Sequence, residues 1–131
     1  MDATASGPPT LPSAILGRAL PTITDQAMQE RIATTKPYTA VLLRTTPSFV
    51  RPNVDPIVWE HGRRNFALID SGIAALVLPA ADDSDWAGLY VFTVPPGDVD
   101  TVMQDDPGVA AGIFTFEVHS IRGFPGAALP A

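Results

Sequence analysis

The chain has 131 residues, 8 basic against 14 acidic side chains for a net charge of −6, no cysteine and 14 prolines. That length suits one domain, and 46% hydrophobic with 17% charged residues is enough to offset the entropy of folding, so wholesale disorder is excluded. The lack of cysteine excludes disulfide scaffolds, thiolate metal sites and cysteine nucleophiles, and the acidic balance argues against nucleic-acid binding, which needs a clustered Lys/Arg face.

Residues 1–21 are dense in Pro, Ala, Ser, Thr and Gly and read as a loosely draped arm. They lack the charged and long apolar regions of a secretory signal, and no apolar run approaches the ~18 residues needed to span a bilayer. The expected compartment is therefore the cytoplasm, with no membrane contact. Thr22 to Asp25 offer capping groups for a short helix over 25–34, whose stripe is Ala27, Met28, Ile32 and Ala33, and Lys36-Pro37 stop it. Residues 38–45 read as a buried strand ended by Thr46-Pro47, and a proline-punctuated loop follows. Asp55 as N-cap, Pro56 at the first helical position and Gly72 as the stop define a helix over 55–71. A strand over 73–79, a turn over 80–85 and a strand over 86–94 come next. A helix over 98–106 ends at Pro107-Gly108, and a last strand covers 113–121 before an irregular tail. The divisions are an arm with a short helix (1–37), a folded domain (38–124) and a tail (125–131).

The order β-α-β-β-α-β over roughly 85 residues is the ferredoxin-like split βαβ pattern, an α+β arrangement with both helices on one face of an antiparallel sheet. The other face would stay uncovered in a monomer. Strands this apolar point to a homodimer through that face, although the arm could cover it instead.

On a wheel of about 100° per residue with His61 at zero, Leu68 falls near −20°, Ile57 near −40°, Asn65 near +40° and Val58 near +60°. His61 therefore faces the sheet. Trp59 and Phe66 fall near 160° and 140°, a second apolar face suited to the N-terminal segment or a neighbouring subunit. An imidazole facing a core needs a hydrogen-bond partner, and topology nominates Asp106, in the turn leaving the second helix. A His–Asp pair in a pocket supplies a general base and its orienter. No spacing rule ties the two residues, so a satisfied core histidine beside a turn-capping Asp106 stands as the other reading. Asn65, one turn from His61, can hold a substrate oxygen, while Arg63-Arg64 read as a solvated helix face or carboxylate partners, with Arg64 at most a gate for an anionic ligand. In the last strand Thr115, Glu117 and His119 share the face opposite Phe114, Phe116 and Val118, and line an interface or cavity. Glu117 and His119 could form two ligands of a divalent-metal site with a third from elsewhere, but a polar cavity or interface lining is the favoured reading, so no metal is expected. Residues 108–112 match neither a P-loop nor a dinucleotide fingerprint, and Asp82, Asp83 and Asp85 lack the Gly and Glu of a calcium loop, so no cofactor is expected.

The segments Trp59-Glu60-His61-Gly62-Arg63-Arg64-Asn65-Phe66 and Asp106-Pro107-Gly108 through Ala111-Gly112 into Phe114-Thr115-Phe116-Glu117-Val118-His119 resemble the YciI-like family of the dimeric α/β-barrel superfamily, over about residues 38–124. The resemblance implies a ferredoxin-like protomer whose sheet pairs with that of a second chain. It also implies a pocket holding a His–Asp pair, here His61 and Asp106, and lyase or dehydrochlorinase chemistry on small ring compounds. Where that family usually has Gly-Pro after the second strand, this chain has Val77-Leu78-Pro79. The expected function is a cofactor-free lyase or isomerase acting on a small organic molecule. The alternatives are a non-catalytic dimeric ligand-binding module of the same fold and a monooxygenase-like member with a large apolar cavity.

Overall fold

In a computed structural model, residues 14–131 are described, and they fall into two units, one ending at Ala33 and the other spanning Thr34–Ala131. In the first unit β1 (Ala14–Ile15) pairs antiparallel with β2 (Arg18–Ala19). The two central residues, Leu16 and Gly17, both take positive φ, 55° and 73°, as a two-residue hairpin turn demands. This hairpin corrects the reading of the whole 1–21 stretch as a loose arm. Leucine is a poor left-handed residue, so only Gly17 signalled the turn; the remainder of that reading, residues 1–13, lies outside the described residues. Helix α1 (Asp25–Ala33) begins where Thr24 Oγ1 accepts the Ala27 N–H at 3.1 Å, but its apolar stripe stays outside: Met28 is 47% and Ile32 55% exposed.

The second unit carries β3 (Lys36–Thr45), α2 (Asp55–Asp70), β4 (Ala74–Pro79), β5 (Trp86–Phe92), α3 (Pro96–Gln104), α4 (Pro107–Ala110) and β6 (Phe114–Gly123). The sheet order is β4-β5-β3-β6, every pair antiparallel. Strand β5 is thus inserted between β3 and β4, the two strands that α2 connects, and this order is compatible with a ferredoxin-like fold.

Alternation along the strands separates the faces. Thr39, Val41 and Leu43 of β3 are buried, with Tyr90 and Phe92 of β5 beside Val41 and Thr39. On this face they meet Leu68 of α2, Val99 and Met103 of α3, and Ile113 and Phe114, forming the core. Buried Thr39 is satisfied because its hydroxyl donates to the Val94 carbonyl at 2.7 Å. The opposite face carries half-buried Ala40, Leu42, Leu76, Leu78, Leu89 and Val91.

Two helix ends differ from expectation. The N-cap of α2 is Val54, with Asp55 already inside the first turn and Pro56 behind it; Asp55 instead binds the Arg51 guanidinium at 2.8 Å. Helix α3 starts at Pro96, two residues early, because Pro95-Pro96 fixes φ and needs no N–H partner at a helix start. Pro107 then opens a separate turn, α4, which the sequence pattern did not distinguish from a stop. Gly72 ends α2 as expected: its φ of 80° lets the Ile73 N–H reach back to the Leu68 carbonyl at 3.1 Å. Among the described residues no helix is long and apolar enough to cross a membrane.

Candidate functional site

Helix α2 buries three residues, His61, Asn65 and Leu68, on one stripe, as the wheel requires. Across from it Asp106 is the N-cap of α4 and is fully buried. Its Oδ2 accepts the Gly108 and Val109 N–H groups at 2.9 and 3.1 Å, which leaves Oδ1 to meet His61 Nδ1 at 2.7 Å. One carboxylate therefore both caps a turn and binds the imidazole, one oxygen for each. The network continues from His61 Nε2 to Asn65 Nδ2 at 3.2 Å, and the Tyr90 hydroxyl donates to Asn65 Oδ1 at 2.8 Å.

The Asp106 end of this chain has a fixed polarity. Burial pushes the Asp106 carboxyl up, but the His61 hydrogen bond, with the Val109 and Gly108 amides, outweighs it and holds the group below the usual carboxylate range. An ionised Asp106 only accepts, so Nδ1 carries a proton. Burial, reinforced by the Asp106 charge, pushes the Tyr90 phenol up, so at neutral pH it keeps the proton that it donates to Asn65. Asn65 presents its oxygen to Tyr90 and its NH2 to Nε2, so Nε2 is the accepting nitrogen of the ring. The Phe114 ring lies 4.8 Å from the imidazole, centroid to centroid, and packs in turn on Phe49 at 5.6 Å.

A cavity of about 480 Å³ opens onto this network, with His61, Asn65, Tyr90 and Phe114 among its walls. Residues 77–79 line it too, together with the turn over 82–84, where Asp82 accepts from the Ser84 N–H and hydroxyl. Asp106 does not reach the cavity; it acts only through His61 and the α4 amides.

The other candidate residues fall elsewhere. Glu117 and His119 sit on the opposite sheet face, half exposed and 3.1 Å apart, with Arg44 3.3 Å from Glu117. The His119 and Arg44 hydrogen bonds hold Glu117 below its usual range. Nothing brings this trio to His61, and no cluster of three His, Asp or Glu side chains suited to a metal occurs among the described residues. Arg64 lies one turn from His61 outside the cavity lining; its Nη1 is buried without a hydrogen-bond partner, and its charge bears on Tyr90, lowering that group's pKa in opposition to burial.

Tyr90 is the residue that sequence reasoning missed. Its signal was the inward alternation Gly88, Tyr90, Phe92, since a phenol at a core position needs a partner for its hydroxyl. Tyr90→Phe removes that donor and leaves Asn65 Oδ1 buried and unpaired. The expected loss is about 1–3 kcal/mol of unfolding free energy, measured by urea titration. Among known proteins, no family model and no curated protein matches the chain.

Proposed function

We propose that the second unit is a YciI-like, cofactor-free acid/base enzyme of the lyase or isomerase type. The observation that carries this reading is the 2.7 Å His61–Asp106 hydrogen bond at the wall of a solvent-connected cavity. With Nδ1 committed to Asp106, Nε2 is the nitrogen that takes a proton from a substrate C–H adjacent to a carbonyl. In an elimination the C–H pair becomes the new C=C bond, the leaving group departs from the next carbon with its bonding pair, and the proton stays on Nε2. Asp106 stabilises the resulting imidazolium, and Asn65, displaced from Nε2 by the substrate, turns to a substrate oxygen.

The same reading includes a homodimer closed through the open sheet face. Its support is the apolar band of Ala40, Leu42, Leu76, Leu78, Leu89 and Val91 on the side of the sheet away from the helices. Leu42→Asp is expected to turn a dimer into a monomer in equilibrium sedimentation; a native protein that sediments as a monomer would remove the dimer from the proposal.

The catalytic test has two stages. Small phenols and hydroxy acids that raise the melting temperature are selected, and each is incubated in D2O with the protein. Deuterium is expected to enter the carbon next to the carbonyl of a bound hydroxy acid, about 10²–10⁴-fold more slowly with His61→Ala. Equal exchange rates in the two proteins would sink the acid/base role. One observation favours a second reading, a binding module without turnover: in the resting network Nε2 is already occupied by Asn65. A compound that binds native protein well and exchanges no deuterium would select that module.

A further inference from the structure

Gly62 occupies the middle of α2, where glycine weakens a helix relative to alanine. Packing does not require it. A Cβ added there meets nothing within 4 Å, and its φ is not in the left-handed region. What Gly62 does is leave a gap in the helix surface. On the α2 wheel it falls near +100°, between His61 and Asn65 on one side and Phe66 and Trp59 on the other.

Beyond that gap lies a second depression of about 510 Å³, walled by Trp59 and Phe66. Both rings are far more exposed than large aromatics usually are, 70% and 71%. They stand seven positions apart on one stripe, about 10.5 Å along the helix axis. A planar ring stacked between two others needs about 7 Å, so this slot has the length for one aryl group, and Gly62 and Arg63 line it between the two aromatics. Arg51, Val58 and Gly62 line both the slot and the cavity at His61, so the two adjoin across these three residues. Arg51 is held at this junction by Asp55 at 2.8 Å and by stacking 5.3 Å over the Phe49 ring.

We propose that the Trp59–Phe66 slot is the tail subsite of an elongated aryl-bearing small molecule whose polar end lies at His61, and that Gly62 is the opening that connects the two. This assignment rests on the proposed ligand site at His61 and names the shape of what enters it. The occupant is a small molecule because the slot shares three lining residues with the cavity at His61, so one elongated ligand spans both.

Sodium 4-phenylbutyrate and sodium butyrate are the probes, titrated into the full chain while the Trp59 indole and His61 ring signals are followed by NMR. Phenylbutyrate is expected to move both sets of signals and to bind about tenfold more tightly than butyrate. Gly62→Leu fills the opening and is expected to bring phenylbutyrate down to the butyrate level. Gly62→Ala controls for folding: it is expected to raise the melting temperature by a few degrees, about 4 °C, while still reducing the phenyl advantage. Equal affinities for the two probes, or an advantage that survives Gly62→Leu, would overturn the subsite. So would Trp59 signals that move with protein concentration rather than with probe, because a second copy of the chain would then fill the slot. The phenyl-to-butyl affinity ratio does not depend on turnover. A collapsed ratio with deuterium exchange intact therefore removes the slot alone, and an intact ratio without exchange removes the acid/base role alone.

Discussion

Asp106→Ala is expected to cost about 3–5 kcal/mol of unfolding free energy, the largest loss of any single substitution in the network. Three donors, two of them buried and one partly so, lose their acceptor at once: His61 Nδ1–H, and the Gly108 and Val109 N–H groups that start α4. Each orphaned donor retains its desolvation penalty, which is why the loss exceeds that of one hydrogen bond. Urea titration reads it as a lower midpoint at unchanged slope. Asp106→Asn is milder in stability and more severe in chemistry. The amide oxygen can still cap α4, but its NH2 faces Nδ1 and drives the imidazole to the other tautomer. Nε2–H would then confront the Asn65 NH2, so Asn65 must turn over and Tyr90 must give up its donor role. The proton-accepting nitrogen is lost from the cavity side, and the exchange rate is expected to fall by about 10²–10⁴. Nitrogen NMR of the His61 ring distinguishes the two tautomers directly.

The same carboxylate sets an acid limit. Its pKa is lower in the folded chain than the ~3.9 of an unfolded aspartate, so the stability it contributes is complete above that value and is lost as pH falls through the folded pKa. Native protein is therefore expected to lose stability steeply below about pH 4, and Asp106→Asn to show a shallower slope in that window. Parallel slopes would assign acid sensitivity to other carboxylates; Glu117 and Asp82 are lowered as well, but both are exposed and contribute little.

The parts of this site legible in the sequence are those with a period. The wheel of α2 placed His61, Asn65 and Leu68 inward and Trp59 and Phe66 outward, because a helix converts spacing into direction. Proline and glycine gave the element ends to within a few residues. Contacts between elements have no such period. The sequence set turn-capping and histidine-binding against each other as roles for Asp106, since a one-dimensional pattern does not show that the two carboxylate oxygens point in different directions. It also placed Glu117 and His119 on the uncovered side of the sheet, and strand alternation does put them there, away from His61. Tyr90 went unread for a related reason: β-rich runs use tyrosine for its ring, and the partner of its hydroxyl lies 25 positions away on a helix.

Gly108→Ala tests how tightly the site is built. The backbone there is ordinary, so the difficulty is space rather than conformation. An added methyl would fall against the edge of the Phe114 ring, 2.6 Å from Cε2, and 3.1 Å from Asp106 Oδ2. Phe114 has no easy retreat, because His61 and Phe49 flank it at 4.8 and 5.6 Å. Overpacking of this kind costs about 1–3 kcal/mol, and the displaced ring pushes on the imidazole that it supports. Phe114→Leu removes the offending edge. Alone it leaves a void beside His61; combined with Gly108→Ala it is expected to lose less than the two single changes together, by about 1 kcal/mol in a double-mutant cycle. Additive losses would mean that the methyl is accommodated by a shift of α4, and the His61–Asp106 distance would then change instead of the Phe114 ring. Gly62→Ala, the identical chemical change where nothing lies within 4 Å, is expected to gain up to about 1 kcal/mol. The opposite signs at the two glycines would show that one is kept for close packing behind the histidine and the other for the opening beside it.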